Sequence, residues 1–449
     1  MRAYSDYQMI NLPWLKQIPS HWEIRRNKNI FTEMKAEVGE RSSEYTLLSL
    51  TLKGIIPRDM EAGGKFPSDF GKYKIVKKGY MAFCLFDVDE TPRTVGLSEY
   101  DGMLTGAYTI MQVANINSRY VLYYYLALDN GKQLKPLYKG LRKTINIDTF
   151  QSTKIPVPPR EEQDQIVRFL DWKVSEINRL IIIKRKEIAV LKEQLASYIS
   201  KIILTGVSDK PSMKPCDIEW IGAIPDHWET LRCKYLFSER DERSVEGKET
   251  HLSMSQKYGL IPDNQLDERR MLSESYAGAK ICYKNDLVLN RLKAHLGVFA
   301  LAPQLGVISP DYTVLIPNIG RILPEFAEMV LKSQKCRREL RIRVRGVTEG
   351  FWRLYTDDFN TITIPVPPLE EQKKIIEAVS SYMDKMKQYE SCLSKEIEVL
   401  HEFKTSLISD VVTGKIDVRG IEIPEYEYTA EEADSDSEAE AEELDEGKE

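Results

Sequence analysis

The 449 residues contain no Walker A loop, no GxGxxG after a predicted strand, no HExxH and no GxSxG. The signatures of nucleotide hydrolysis, dinucleotide binding, zinc proteolysis and serine hydrolysis are therefore missing. Histidine is scarce: the five, at 21, 227, 251, 295 and 401, fall at no metal-ligand spacing. The six cysteines, at 84, 216, 233, 282, 336 and 392, form no CxxC pair and no Cys/His cluster, which argues against structural zinc and a disulfide framework and fits a reducing cytoplasm. Long hydrophobic runs are lacking too. Stretches such as Ile181-Ile182-Ile183 fall far short of a membrane span, and the start, Met1-Arg2-Ala3-Tyr4, leads into polar sequence, so no export or membrane insertion is expected.

What is present is a duplication. Trp14, Ile18, Pro19, His21, Trp22, Glu23, Arg26, Lys28, Phe31 and Glu33 recur as Trp220, Ile224, Pro225, His227, Trp228, Glu229, Arg232, Lys234, Phe237 and Glu239. Ile155-Pro156-Val157-Pro158-Pro159 before Glu161-Glu162-Gln163 returns as Ile364-Pro365-Val366-Pro367-Pro368 before Glu370-Glu371-Gln372. The offset is 206 positions in the first series and 209 in the second, too long for a solenoid repeat. A tandem copy of domain size predicts an internal pseudo-twofold.

Each copy divides at its proline joint into a mixed segment and a helical one. In the mixed segments Tyr45–Leu50, Tyr108–Val113 and Tyr312–Ile316 read as strands, with turns at Gly63-Gly64 and Pro262-Asp263-Asn264, and 120–128 and 324–333 read as matching helices. After each joint the period becomes helical. Val174, Ile181, Ile188, Leu195 and Ile202 form one seven-residue row, interleaved with Leu170, Ile177, Lys184, Leu191 and Tyr198. Val379, Met386, Leu393, Leu400 and Leu407 form another, interleaved with Ile376, Met383, Glu390, Ile397, Lys404 and Val411. These are coiled-coil seams. The Glu pair suits the positive end of each helix dipole, and Thr205-Gly206 and Thr413-Gly414 suit the far ends. Lys184, Glu390 and Lys404 interrupt the seams, either setting register or snorkelling from edge positions. The expected fold class is α+β: two mixed α/β domains separated by two long antiparallel helices forming a coiled coil.

Charge is unevenly spread. Residues 422–449 hold 14 Asp/Glu and one Lys, a net of -13, leaving a body of 62 basic and 55 acidic side chains, +7. So acidic a tail is expected to be disordered, as a solvating segment or as a decoy for a basic surface. The boundaries drawn from these signals are 1–157 and 208–366 for the mixed domains, 158–207 and 367–418 for the helical regions, and 419–449 for the tail. Predicted loops carry basic residues among polar and aromatic ones. In the first copy these are Lys53, Arg58, Lys65, Arg93, Lys139, Arg142 and Lys143; in the second Ser255, Gln256, Lys257, Tyr258, Arg291, Lys293, His295, Arg343, Arg345 and Arg353. Such side chains neutralise phosphates and read base edges. His21 and His227 are read as structural, beside a Trp that packs the domain on its helical base. Asp87-Val88-Asp89-Glu90 reads as a solvated or specificity loop, since its counterpart Asn290-Arg291-Leu292-Lys293 is basic. Arg160 and Leu369 follow the Pro-Pro pairs, so the Asn-Pro-Pro-aromatic loop of amino-methyltransferases is not present.

This order of parts resembles the specificity subunit of type I restriction-modification systems, the HsdS family. Further matching stretches are Leu252-Ser253-Met254-Ser255-Gln256-Lys257-Tyr258-Gly259-Leu260-Ile261-Pro262, like the loop after the first strand of that family's target-recognition domains, and Leu407–Asp417, like its closing helical motif. The resemblance covers about residues 1–418. It implies a non-catalytic subunit in which each mixed domain is a target-recognition domain reading half of an asymmetric bipartite site on double-stranded DNA. It implies helices that set half-site spacing and dock two modification (methyltransferase) subunits, with two restriction/translocase subunits added. It implies no cofactor in this chain, S-adenosylmethionine, ATP and Mg belonging to partner subunits. The first copy departs at Leu50-Thr51-Leu52-Lys53-Gly54-Ile55-Ile56-Pro57, shorter than the Ser-Gln-Lys-Tyr-Gly form. The competing readings are a coiled-coil adaptor without DNA specificity and a chain that is itself a nuclease or methyltransferase.

Overall fold

The computed structural model of the chain describes residues 2–58, 70–138, 143–208, 210–255, 258–265, 276–346 and 352–430. Its α-helices among the described residues are α1 (Ser118–Asn130), α2 (Ile147–Ser152), α3 (Arg160–Thr205), α4 (Pro324–Lys332), α5 (Gln334–Arg343), α6 (Thr356–Thr361) and α7 (Leu369–Val412). The chain divides into two compact units: Met1–Lys186 with Leu393–Glu449, and Glu187–Cys392. Each unit thus holds one mixed domain and part of both long helices.

Strand by strand, the two units share one plan. Unit 1 has a four-stranded antiparallel sheet in the order Phe31–Met34, Thr109–Val113, Tyr80–Phe83, Val95–Leu97; unit 2 has Phe237–Arg240, Tyr312–Pro317, Leu287–Asn290, Phe299–Leu301. Side chains alternate across a strand, and here both faces of an inner strand are covered. Ile110 joins Leu48, Ile55, Val76 and Leu104, while its neighbour Met111 joins Phe31, Phe83, Tyr125 and Phe150. Val314 and Leu315 divide in the same way. The strand expected from Tyr45 begins instead at Leu48, because Gly39–Glu44 forms a 3-10 turn leading into it and Leu47 makes only an isolated bridge to Met103. The Gly63-Gly64 turn lies outside the described residues.

The duplicated motifs meet at the start of each long helix. Glu162 accepts from the Tyr4 hydroxyl (2.6 Å) and Trp22 Nε1 (3.0 Å), and its other oxygen lies 2.7 Å from His21 Nε2. Glu371 takes Trp228 Nε1 at 3.0 Å and lies 2.7 Å from His227 Nε2. The following glutamines act next to them. Gln163 accepts from the backbone N–H of Asn117, the N-cap of α1, and donates to Pro158 O; Gln372 accepts from Leu323 N at the N-cap of α4 and donates to Pro367 O and Arg321 O. Both amides are buried, at 3% and 0% exposure, so their hydrogen bonds are obligatory. The Glu-Glu-Gln signature thus pins each mixed domain to its helix through one carboxylate and one amide.

The far helix ends close on the same tryptophans. A Cβ on Gly206 would stand 2.5 Å from Glu371 Oε1 and 3.2 Å from Trp228, and one on Gly414 would overlap Pro19 Cδ and stand 3.2 Å from Trp22. Both glycines also hold φ in the left-handed region, +72° and +76°, which side chains disfavour. In unit 1 the end of α7 therefore meets the chain's beginning as, in unit 2, the end of α3 meets the second copy. An isolated bridge between Arg2 and Asp417 adds to that closure.

Within each unit the long helices pair antiparallel. In unit 1 Asn178 meets Lys404 and Lys184 meets Glu396 (3.0 Å); in unit 2 Lys192 meets Glu390 (3.2 Å) and Tyr198 stacks on Tyr382 with centroids 4.2 Å apart. Leu170, Ile177, Ile181, Leu407 and Val411 are buried together. The seam interruptions thus have partners across the pair, and Lys404 is only 8% exposed, its ammonium on Asn178 Oδ1 at 3.3 Å. The Lys404 ammonium therefore ends on a buried acceptor of the other helix and does not snorkel to solvent.

The acidic segment does not detach where its charge count begins. Gln165 donates to Val418 O (3.1 Å) and Ile421 O (2.8 Å), and Ile421 and Ile423 pack against the unit 1 core. Composition averaged away these two apolar anchors, which hold the first residues of the segment to α3; residues 431–449 lie outside the described residues.

Candidate nucleic-acid interface

Two loops from distant parts of each mixed domain come together at corresponding places. In unit 1 the loop after Tyr80–Phe83 is tied to the segment before α2 by Ile145 N to Leu85 O (2.7 Å), Asp87 N to Lys143 O (2.7 Å) and a bridge between Phe86 and Thr144. Asp87 adopts a positive φ of 44°, and its carbonyl accepts from Glu90 N (2.9 Å) and Thr91 N (2.8 Å), closing a tight turn. Asp89 accepts from the Tyr138 hydroxyl at 2.7 Å and faces Lys135 at 3.4 Å. The Tyr138 hydrogen bond chiefly holds the Asp89 carboxyl below the usual carboxylate range, with Lys135 and Lys143 adding to it. Lys143 pairs with Glu90, which raises its ammonium pKa. The acidic stretch is thus a network of hydrogen bonds and ion pairs at the surface.

At the same place in unit 2 the chemistry inverts. Asn290 Oδ1 accepts from Leu292 N (3.1 Å) and Lys293 N (3.2 Å), turning the chain into the short 3-10 helix Ala294–Leu296. Leu354 N donates to Arg291 O at 3.0 Å, and Arg345 and Arg353 pair through their backbones at 2.9 and 2.8 Å. Asp311 is shared, 3.6 Å from Arg291 Nη2 and 3.8 Å from Arg353 Nη2. His295 packs edge-on to Trp352 with centroids 5.3 Å apart, and burial, helped by Arg341, lowers its pKa and favours the neutral ring. Arg291, Lys293, His295, Arg345 and Arg353, scattered over 63 positions of sequence, thus share one patch with Asp311 and Trp352.

The other candidates sort by what holds them. Lys53 is exposed at the turn of the hairpin Leu48–Thr51/Gly54–Pro57, its N–H bonded to Thr51 Oγ1, and Arg58 follows that hairpin. Ser255 and Tyr258 flank the turn of the matching hairpin Leu252–Ser255/Gly259–Pro262, with Tyr258 55% exposed. The two ladders have the same four-pair register; the longer Ser-Gln-Lys-Tyr-Gly form adds one residue to the turn and leaves the strands alike. Arg93 turns inward, 14% exposed and 3.3 Å from the buried Asp129. Arg343 binds Glu339 (2.9 Å) and Thr361 (2.6 Å), and Arg345 pairs with Asp358. Lys65, Lys139, Arg142, Gln256 and Lys257 lie outside the described residues. Sequence reasoning missed Tyr138, Asp311 and Trp352; the adjacency of Trp352 to Arg353 was the one available signal.

Among the described residues no group of three His, Cys, Asp or Glu converges as a metal site, and no helix is long and apolar enough to cross a membrane. Burial pushes the Cys84, Cys233 and Cys336 thiols up and that of Cys282 to about 12, so these four pack as protonated thiols.

The family model for the type I restriction modification DNA specificity domain matches residues 94–193 and 227–399. The chain belongs to that family, and to the class of type I restriction-modification specificity subunits. It is similar over 432 residues, at 25% identity and covering 90% of this chain and 95% of the relative, to the "Putative type I restriction enzyme MjaX specificity subunit" of Methanocaldococcus jannaschii. From the same organism, the "Type I restriction enzyme MjaVIII specificity subunit" matches at 25% identity over 291 residues, 61% of this chain and 64% of the relative. A solved structure described as "Structural basis underlying complex assembly and conformational transition of the type I R-M system" shares the fold with TM-score 0.60 at 13% identity, covering 89% of this chain and 99% of the other.

Proposed function

We propose that this chain reads DNA sequence for a type I restriction-modification complex, each mixed domain recognising one half of an asymmetric bipartite site. The observation that carries the reading is the inversion at one repeated place: the same loop pair is acid-rich around Asp89 in unit 1 and arginine-rich around Asp311 in unit 2. One plan with two different surfaces suits two different half-sites on opposite strands. In this reading the chain is non-catalytic. Two methyltransferase subunits dock on the helices and two restriction/translocase subunits join them, bringing S-adenosylmethionine, ATP and Mg. The long helices set the spacer between half-sites, and the work is done in the cytoplasm. An adaptor without DNA specificity would explain the seams but not the dissimilar loop pairs.

Methylome sequencing of the host with and without the gene tests the assignment. The expected result is loss of one methylated motif with two unequal halves separated by a fixed spacer. An unchanged methylome in a host that expresses the partner subunits would refute the reading.

A further inference from the structure

The C-terminal segment covers one surface of unit 1 through contacts of its main chain. After α7 it continues without regular secondary structure along α3. Ser175 Oγ donates to Glu427 O (3.0 Å) and accepts from Thr429 N (2.7 Å), and Asn178 Nδ2 donates to Thr429 O (3.1 Å). Ser175 and Asn178 are 2% and 4% exposed, so they are built into the helix surface with a peptide backbone as partner. Asn178 is itself held by Lys404. Tyr426 lies near Asp171 and Arg119, and Tyr428 near Tyr123, which places the segment beside α1.

Counted from the shared helix starts, Arg119 and Tyr123 correspond to Glu325 and Met329, and Val174 to Met383. In unit 2 that surface is an open groove of about 490 Å³, lined by Leu195, Ile199, Met329 and Met383 among others. Where α3 carries Ser175 and Asn178, α7 carries Asp384 and Lys387. The two surfaces are alike in origin, and only that of unit 1 has the buried pair that holds a passing backbone.

We infer that the α1–α3 surface of unit 1 is a peptide-binding site, filled in cis by residues 419–430. Its ligand class is an extended peptide with an Ile-x-Ile anchor, recognised by main-chain hydrogen bonds to Ser175 and Asn178. Any segment of this chemistry offered in trans must displace the chain's own. This site is independent of the DNA reading, and its test reads peptide binding and amide exchange without DNA.

The probe is a fluorescent synthetic peptide of residues 419–430. The host is the full chain carrying Ile421→Asp, Ile423→Asp and Thr429→Pro, which weaken the strap and leave the site intact. Saturable one-to-one binding is expected to this variant, at least tenfold weaker binding to the native chain, and loss when Ser175→Ala and Asn178→Ala are added. Equal uptake by native and variant chains, or none by a variant with native near-UV circular dichroism, overturns the inference. In the native chain the Thr429 amide should exchange slowly, and Ser175→Ala should speed it at least tenfold. Exchange of that amide at the unprotected rate in the native chain overturns the inference as well.

Discussion

Replacing Glu162 with alanine is expected to destabilise unit 1 by about 3–5 kcal/mol, the cost typical of removing one partner from a buried charged network. The carboxylate is 5% exposed and faces three groups: the Tyr4 hydroxyl, Trp22 Nε1 and His21 Nε2. The Tyr4 hydroxyl and Trp22 Nε1 are both in buried residues, so no water replaces the lost acceptor cheaply. Glu371→Ala should cost less, about 2–3 kcal/mol, since that carboxylate is 18% exposed and has two partners, His227 and Trp228. Glu162→Gln, which keeps an acceptor, should fall between wild type and alanine. Hydrogen exchange resolves local stability, so the measurement is amide protection of α1, whose N-cap hangs on the adjacent Gln163. If Glu162→Ala leaves that protection within about 1 kcal/mol of wild type, the motif does not anchor the domain.

The second large effect belongs to the arginine-rich patch. Lys293 is exposed and Arg353 is 43% exposed beside Asp311. With the methyltransferase subunits present, the Lys293→Ala/Arg353→Ala pair should weaken binding to the cognate site on the order of 10–100-fold and flatten the salt dependence by about two units of log–log slope, close to one per lost phosphate contact. Arg343→Ala should leave the slope unchanged, since that guanidinium is bonded to Glu339 and Thr361. Titrations from low to high salt by fluorescence anisotropy separate these outcomes. A slope that ignores the double substitution, or responds equally to Arg343→Ala, would remove the patch from the DNA surface.

Much of the fold is legible because the duplication supplies its own control. The proline joints, the seams and the Thr-Gly ends all come from spacing that a helix imposes, and the long helices run at 160–205 and 369–412. The Glu-Glu-Gln signature shows where sequence reasoning stops. A glutamate in a first helical turn is explained locally by the dipole, yet Glu162 faces Trp22, 140 positions away, and nothing local encodes that. Lys404 reads equally well as an edge residue until Asn178 on the other helix is seen. The candidate site is legible as a set of residue types but not as a patch. Arg291 and Arg353 meet because the Leu354 N–H bonds to Arg291 O and both guanidinium groups approach Asp311, and Arg93 is drawn inward by the buried Asp129. The acidic segment misleads for a different reason: net charge is an average, and two isoleucines and a run of main-chain hydrogen bonds hold its first residues.

The most direct measurement exchanges residues 208–366 for the corresponding domain of another specificity subunit and maps methylation in a host carrying the partner subunits. Two independent reading heads predict that one half of the motif changes while the other half and the spacer stay as they were. A change in both halves, or in neither, would contradict the account.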